Sequence, residues 1–291
     1  MTTASPRGLA VVARRLTPTA GLRDFLAMST LHAALDLTGR RALVTGATKG
    51  IGRAIAGELA ALGARVIVVA RDAAAVHEVA SVIGGEGVVA DVADPAGRAA
   101  ILAAAGARPL HILVNNVGTN VRKPTAEFTL EDLRRIMAVN VESAFELTRA
   151  VRPALAAAAE ADGDASVVHL SSIASRTIIG TSSCAYTMSK AALDAMSDWL
   201  AVEWGPLRIR SNVVHPWYIN TPLVAEVLED ADRRAAIEDA TPLRRVGEPE
   251  EVARAVAFLA SPAGSYLSGA HLDVDGAFSR SGLPSPGPRR D

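Results

Sequence analysis

Tyr186 and Lys190 stand four apart at the start of a helix-like run, which puts both on one helical face. Three tyrosines and three lysines in 291 residues would meet at that spacing by chance roughly 3% of the time, so the pair is informative. A free phenol has a pKa near 10. An ammonium a few ångströms away favours the phenolate and lowers that value. Tyr186 tuned this way could give a proton to a carbonyl oxygen as hydride reaches the carbon, or take one from an alcohol in reverse. The competing reading is an exposed pair that only decorates a helix. Ser171-Ser172 follows an apolar run, and a hydroxyl at a strand tip could hold the same oxygen, although Ser also begins loops for local reasons. Asn140 lies inside a long helical pattern, Leu130 to Ala158, where Asn is a poor helix former. A kink, an outward carbonyl holding a water, and a plain surface Asn are all consistent with it.

A second constellation could hold a dinucleotide. Thr45-Gly46-Ala47-Thr48-Lys49-Gly50-Ile51-Gly52 follows the run Arg41 to Val44 and precedes a helix pattern. Gly46 suits a tight turn, Gly50 close approach of a pyrophosphate, and Gly52 close helix–strand packing. The helix N-terminus offers free N–H groups and the positive end of a dipole. The spacing is G-x-x-x-G-x-G, and its strand–turn–helix context carries the functional reading. The next strand run, Val66 to Ala70, ends in Arg71 and shows no carboxylate at its tip. With Lys49 in the glycine turn, that edge suits a 2′-phosphate and so NADP over NAD. The bland alternative is that Arg71 merely ends a strand at the surface.

These groups need a frame. Apolar runs recur at Arg41 to Val44, Val66 to Ala70, Gly87 to Ala90, Ile112 to Asn115, Ser166 to Leu170, Asn212 to His215 and Leu272 to Val274, with Ala-rich helix-length segments between. Such runs fit strands buried on both faces. Alternating strand and helix signals predict an α/β fold: a single-domain, Rossmann-like, doubly wound parallel sheet with helices on both faces. The domain is expected over 36–279, between a 1–35 extension and a loose 280–291 tail. Residues 1–27 are basic and bear Ser and Thr. They read as a ragged start before Met28 or as an organellar transit peptide.

Composition removes other classes. A net charge of -1 gives no footprint for nucleic acid or an anionic membrane surface. One cysteine, Cys184, allows no internal disulfide and fits a reducing, cytoplasmic setting. No apolar run approaches a bilayer span. The six histidines show no metal-like clustering in sequence, and no catalytic metal is expected. His169 and His215 read as satisfied structural groups, and Cys184 as a buried inert thiol that touches the substrate cavity.

Taken in order, these motifs resemble the short-chain dehydrogenase/reductase family over about Leu37 to Phe278. They are the glycine turn, Asp91-Val92, Asn115-Asn116-Val117-Gly118, Asn140, Ser172, Tyr186-x-x-x-Lys190 and Pro216 to Thr221. Within the family, Val214 to Pro222 is most similar to tropinone reductase-like enzymes. The resemblance implies about seven strands and a cofactor held by Gly46, Thr48, Lys49, Gly50, Ile51, Gly52 and Arg71. Asp91 and Val92 would meet the adenine end, and Asn115 and Gly118 would support the fold and line the cofactor. Pro216, Ile219 and Thr221 would meet the nicotinamide. Ser172 would polarise the carbonyl, Tyr186 would be the acid, and Asn140 would hold a relay water. Lys190 would lower the Tyr186 pKa and bond the nicotinamide ribose. The resemblance also implies a homo-oligomer, a tetramer or dimer, joined through the helices of Asn140 and Tyr186.

Two departures stand out. Ser172 and Tyr186 are 14 apart where 13 is common, so either the loop carries an extra residue or Ser171 has taken the role. Trp217 replaces the Gly that often follows this Pro, and its indole would narrow the pocket. Ile178, Ile179, Cys184, Trp217, Tyr218, Leu223 and Val224 suggest an apolar substrate cavity. The acid-rich stretch Glu226 to Glu238 reads as a solvated helical lid. The expected activity is NADPH-dependent reduction of a hydrophobic or cyclic ketone to an alcohol. The alternatives are a 3-oxoacyl-carrier reductase, which would need a basic surface by the pocket, and a non-enzymatic NADP-binding regulator.

Overall fold

The computed structural model describes residues 31–106, 108–180 and 182–281. Both readings of residues 1–27 lie outside the described residues, as does most of the expected tail. A short helix, α1 (Leu31–Leu35), leads into the first strand. The strands are β1 (Arg41–Thr45), β2 (Arg65–Ala70), β3 (Glu86–Val89), β4 (Ile112–Asn115), β5 (Ala165–Leu170), β6 (Ile209–Pro216) and β7 (His271–Val274). They form one parallel sheet in the order β3-β2-β1-β4-β5-β6-β7. Each apolar run of the sequence falls on one of these strands, the Ile112 to Asn115 run on β4 without change and the others with ends moved by no more than three residues.

The reversal of strand order between β1 and β4 opens a crevice at the carboxyl edge of the sheet, where ligands of such folds bind. Alternation along the strands feeds two cores. Ala42, Val44, Val66, Val68, Ile112 and Val114 face α2 (Gly50–Ala61), α3 (Ala73–Val82) and α10 (Pro249–Ala260). Leu43, Ile67, Val69, Leu113 and Val167 face α4 (Pro95–Gly106) and α6 (Ser143–Asp162). All these strand residues are below 2% exposed, so β1, β2 and β4 are covered on both faces, as their unbroken hydrophobic runs require.

The single helix expected over Leu130 to Ala158 is three pieces: α5 (Leu130–Met137), a π turn over Ala138–Glu142, and α6. A π turn inserts one residue into the helical ladder, and such turns gather at functional sites. The surface reading of Asn140 is overturned, since Asn140 is fully buried within this π turn. Two further helices precede α10, α8 (Ala225–Leu228) and α9 (Ala231–Ala240). The stretch read as a solvated lid is helical, but Val227, Leu228 and Ile237 are buried against Tyr218 and Val246. Arg280, which opens the expected loose tail, pairs with Asp273 at 2.9 Å.

Candidate active site

Helix α7 (Cys184–Glu203) begins beside the crevice. Ser183 caps it, accepting from the Tyr186 N–H at 3.2 Å, and its hydroxyl donates to Asn120 Oδ1 at 2.8 Å. The cap fixes the first turn and so the direction of Tyr186. Ser172 and Tyr186 both line the cleft, and the Ser172 hydroxyl acts on the Tyr186 phenol. Ser171 instead lies buried, donating to the Lys190 carbonyl at 3.1 Å. Of the two serines, Ser172 therefore has the hydroxyl left for the cleft, while that of Ser171 is committed to the backbone.

One turn along, Lys190 is 3% exposed. Its Nζ donates to the Leu170 carbonyl at 2.7 Å and lies 5.6 Å from the Tyr186 ring centroid. A Cβ on Gly118 would stand 3.2 Å from that Nζ and 3.8 Å from Asn140 Oδ1, so glycine lets the three groups close up. Asn140 is fully engaged. Its Nδ2 donates to the Thr119 carbonyl and to Ser189 Oγ, both at 2.9 Å, and its Oδ1 accepts from the Thr119 N–H at 2.7 Å. Ser189 Oγ in turn donates to the Tyr186 carbonyl at 2.7 Å. Thr119, Ser189, Asn120 and Ser183 are supports that the sequence reading missed; only the cap pattern Ser183-x-x-Tyr186 could have flagged one of them.

The electrostatics correct one expectation. Burial pushes the Tyr186 phenol above its ordinary value near 10, and the Ser172 hydrogen bond and the Arg122 charge only partly oppose this. Burial also pushes the Lys190 amine down to about 8, against the pull of Asp194. Desolvation wins because both groups sit where water cannot spread their charge. In the cofactor-free protein, the tyrosinate absorbance step lost on replacing Tyr186 by Phe is therefore expected above pH 10. A step below pH 9 in that difference titration, with the fold intact by circular dichroism, would show that the ammonium dominates.

A cleft of about 710 Å³ runs from these groups to the β1–β2 edge. Gly46, Thr48, Lys49, Gly50, Ile51, Gly52, Arg71, Asp91 and Val92 line its nucleotide end, and Gly118 lines the cleft beside Lys190. Ser172, Tyr186, Lys190, Pro216, Ile219 and Thr221 line its centre. Gly46 and Gly50 adopt φ of 66° and 50°, the left-handed region where a side chain is strained. Asn115 does not reach the cleft: it is buried, donating to Thr148 Oγ1 at 2.8 Å and meeting His169 Nδ1 at 3.2 Å. Asn116 lines the cleft instead and donates to the Thr45 carbonyl at 2.8 Å. Arg71 follows the end of β2 as expected; its Nη1 lies 3.7 Å from Asp91 Oδ2, which follows β3, both well exposed, and Asp72 caps α3 by accepting from the Ala75 N–H.

At the other end stand Ile179, Trp217, Tyr218, Leu223 and Val224. Trp217 is held by stacking on Phe278, with centroids 3.5 Å apart, and by donating to Thr241 Oγ1 at 3.0 Å. Ile178 and Cys184 do not belong there. Ile178 is 86% exposed, and Cys184 is an exposed thiol, not a buried one, because α7 presents it away from the cleft. The cavity is also less apolar than its aliphatic residues suggested, since Asn120, Ser182, Arg122 and Arg135 share its wall.

Two histidine expectations change as well. His169 Nε2 has no hydrogen-bond partner, and burial pushes its pKa down to about 4, so the ring stays neutral. His215 and His271, 56 residues apart in sequence, are brought together with Asp194, although sequence spacing gave no sign of clustering. Among the described residues no helix is long and apolar enough to cross a membrane.

A parallel sheet with a glycine-turn cradle and a Ser–Tyr–Lys group at its carboxyl edge defines a nucleotide-dependent oxidoreductase of the Rossmann type. The chain belongs to the short-chain dehydrogenase/reductase family: the family model described as Enoyl-(Acyl carrier protein) reductase matches residues 46–279. A tropinone reductase homolog of Arabidopsis thaliana is 42% identical over 258 residues, covering 85% of this chain and 95% of the relative. Among solved structures, the Pseudomonas aeruginosa RhlG/NADP active-site complex matches with a TM-score of 0.80 and 34% identity, over 84% of this chain and 98% of that one. A gluconate 5-dehydrogenase from Burkholderia cenocepacia in complex with NADP and tartrate matches with a TM-score of 0.81 and 29% identity, over 87% and 100%.

Proposed function

We propose that this protein is an NADPH-dependent reductase that converts a ketone to a secondary alcohol, reversibly. The observation that carries this reading is the Ser172–Tyr186–Lys190 group standing in the same cleft as the glycine turn. NADP fits the residues present: Gly50 and Gly52 line the cleft, Gly52 lets the N-terminus of α2 pack close on the Gly46 turn, and Lys49 and Arg71 supply charge for a 2′-phosphate. The NADP named in the RhlG and gluconate dehydrogenase complexes supports the same choice. When bound, the coenzyme supplies the hydride that reduces the carbonyl carbon.

The chain's own residues do the rest. Ser172 holds the carbonyl oxygen against Tyr186, and Tyr186 Oη gives it a proton. A phenol with its pKa above 10 is fully protonated at neutral pH, which suits the reductive direction. Lys190 would hold a ribose hydroxyl of the coenzyme and would balance charge as the phenol loses its proton. Asn140 holds the loop at Thr119 and the helix at Ser189 together, fixing the distance across which protons return. Trp217 and Tyr218 shape a rigid wall for a cyclic or apolar ketone. Exposed Phe145, Trp199 and Val202 on α6 and α7 support assembly into a homo-oligomer through those helices.

A second reading gains from Arg122 and Arg135, which place positive charge at the cleft wall. That is the basic surface a reductase of acyl-carrier thioesters needs. One experiment separates the two: NADPH oxidation with a panel of cyclic ketones and with a 3-oxoacyl-carrier thioester, at low and high salt. Turnover of ketones carries the first reading; faster, salt-sensitive turnover of the thioester promotes the second; no turnover of any carbonyl ends both.

The cofactor choice has its own test. Arg71→Asp is expected to weaken NADPH binding roughly 10–100-fold, the worth of a charge-assisted contact to phosphate, while NADH changes only a few-fold. Equal loss of both cofactors would remove the 2′-phosphate role.

A further inference from the structure

Helix α7 carries Tyr186, Lys190, Asp194 and Asp198 at four-residue intervals, one stripe along its length. The first two face the cleft. The next two meet the ends of β6 and β7. In that pair of strands His215 is in register with Asp273, and His271 with Val213, so both histidines project from the same face of the sheet. Asp194, His215 and His271 each offer a ligand atom, and these atoms lie within 4.8 Å of one another.

The surroundings are what a metal site needs. His271 Nε2 lies 2.6 Å from Asp198 Oδ1, and His215 Nδ1 lies 3.1 Å from Asp273 Oδ1. A carboxylate on the far nitrogen fixes the tautomer and leaves the near nitrogen's lone pair free to ligate. His271 Nδ1 and Asp194 Oδ1 are both buried without a hydrogen-bond partner. Asp194 is only 9% exposed, and although the Ser171 and Ser175 hydroxyls favour its charged form, Oδ1 accepts no well-formed bond. His215 Nε2 sits 3.1 Å from Asp194 Oδ2, so a ring already donating from Nδ1 aims a lone pair at a carboxylate. Arg176 and Arg280 neutralise Asp273, which leaves Asp194 and Asp198 as two negative charges around two imidazoles.

We propose that Asp194, His215 and His271 form a zinc site that clasps α7 to β6 and β7 beneath the catalytic turn. Two imidazoles and one carboxylate suit zinc or a neighbouring first-row divalent ion, and do not suit magnesium or calcium, which take oxygen ligands. Ligands at about 2.0–2.2 Å from zinc stand about 3.3 Å apart on a tetrahedron, so His215 Nε2 and Asp194 Oδ2, 3.1 Å apart, already fit, and no pair within the 4.8 Å limit draws in by more than about 1.5 Å. The edge at Asp198, 55% exposed, is the way in. The alternative is an ion-free cluster in which His215 is an imidazolium between Asp194 and Asp273.

The test uses the untagged full-length chain. After chelation and equilibrium dialysis against zinc chloride, metal analysis is expected to find one tightly held zinc per chain and a melting temperature raised by several degrees. Asp194→Asn and His271→Gln are expected to lose that zinc, with affinity down at least tenfold, and Asp198→Asn to weaken it about tenfold. No stoichiometric zinc on the wild type, or unchanged binding in the variants, overturns the proposal in favour of the imidazolium. Should a variant fail to fold, cobalt on the wild type decides: visible d–d bands of a tetrahedral nitrogen–oxygen site support the clasp. A thiolate charge-transfer band traces the metal to exposed Cys184 and overturns it, as does octahedral, water-like absorption.

Discussion

Tyr186→Phe is expected to bind NADPH as the wild type does and to lose about 1,000-fold in kcat for ketone reduction, roughly 4 kcal/mol of transition-state stabilisation. The loss should fall on kcat and kcat/KM together, because the proton moves only in the transition state. The aromatic ring and the Ser183 cap on the Tyr186 N–H remain in the variant, and only the acidic oxygen goes. Three groups around it are not placed to replace it. The Lys190 amine is turned to the Leu170 carbonyl, His169 is a neutral ring buried beside Asn115, and Asn140 has its amide committed to Thr119 and Ser189. Tyr266→Phe serves as the control, since Tyr266 is fully exposed and absent from the cleft. Activity of Tyr186→Phe within tenfold of wild type would mean that Ser172 or a water carries the proton.

How far the residues foretold this arrangement depends on the kind of signal. The strands were legible because both faces of β1, β2 and β4 are covered, and burial on both sides writes an unbroken run of Val, Ile and Leu. The glycine turn was legible because Gly50 and Gly52 answer to local geometry. Tyr186 and Lys190 were legible because helical spacing alone brings them together. Contacts between distant segments left no such trace. Asn115 and Asn116 are adjacent and identical in type, and only the turn of the chain after β4 decides that the first packs against Thr148 while the second reaches the cleft. The π turn at Asn140 is invisible to a periodicity of 3.6, because one inserted residue disturbs it by less than the scatter of side-chain types. Arg122 and Arg135, each on a segment far from Tyr186 in sequence, gave no reason to expect a polar wall opposite Trp217. The Tyr186 pKa went astray for a related reason: spacing reports that a lysine is near, whereas desolvation depends on everything else packed around it.

Gly52→Ala is expected to cost about 3 kcal/mol of stability, a fall in melting temperature of roughly 6–12 °C, and to abolish NADPH binding at micromolar concentrations. A Cβ there would stand 2.2 Å from the Gly46 carbonyl oxygen and 2.4 Å from Asn116 Nδ2. Neither can retreat. Gly46 is held in the left-handed region at the end of β1, and the Asn116 amide donates to the Thr45 carbonyl at 2.8 Å. The first turn of α2 must therefore move outward, and that movement takes its N–H groups away from the phosphates they would hold. Gly57 provides the contrast. It lies five residues along the same helix, and a Cβ there meets nothing within 4 Å. Gly57→Ala should stabilise the protein by up to about 1 kcal/mol, by helix propensity and the reduced freedom of the unfolded chain, and leave NADPH affinity unchanged. The two substitutions add the same methyl group to the same helix, so a difference between them measures the closeness of turn to strand and not the loss of a glycine. If thermal melts and NADPH titrations place both variants together, α2 has room to spare at its start, and the cradle is not shaped by the contact assigned to it here.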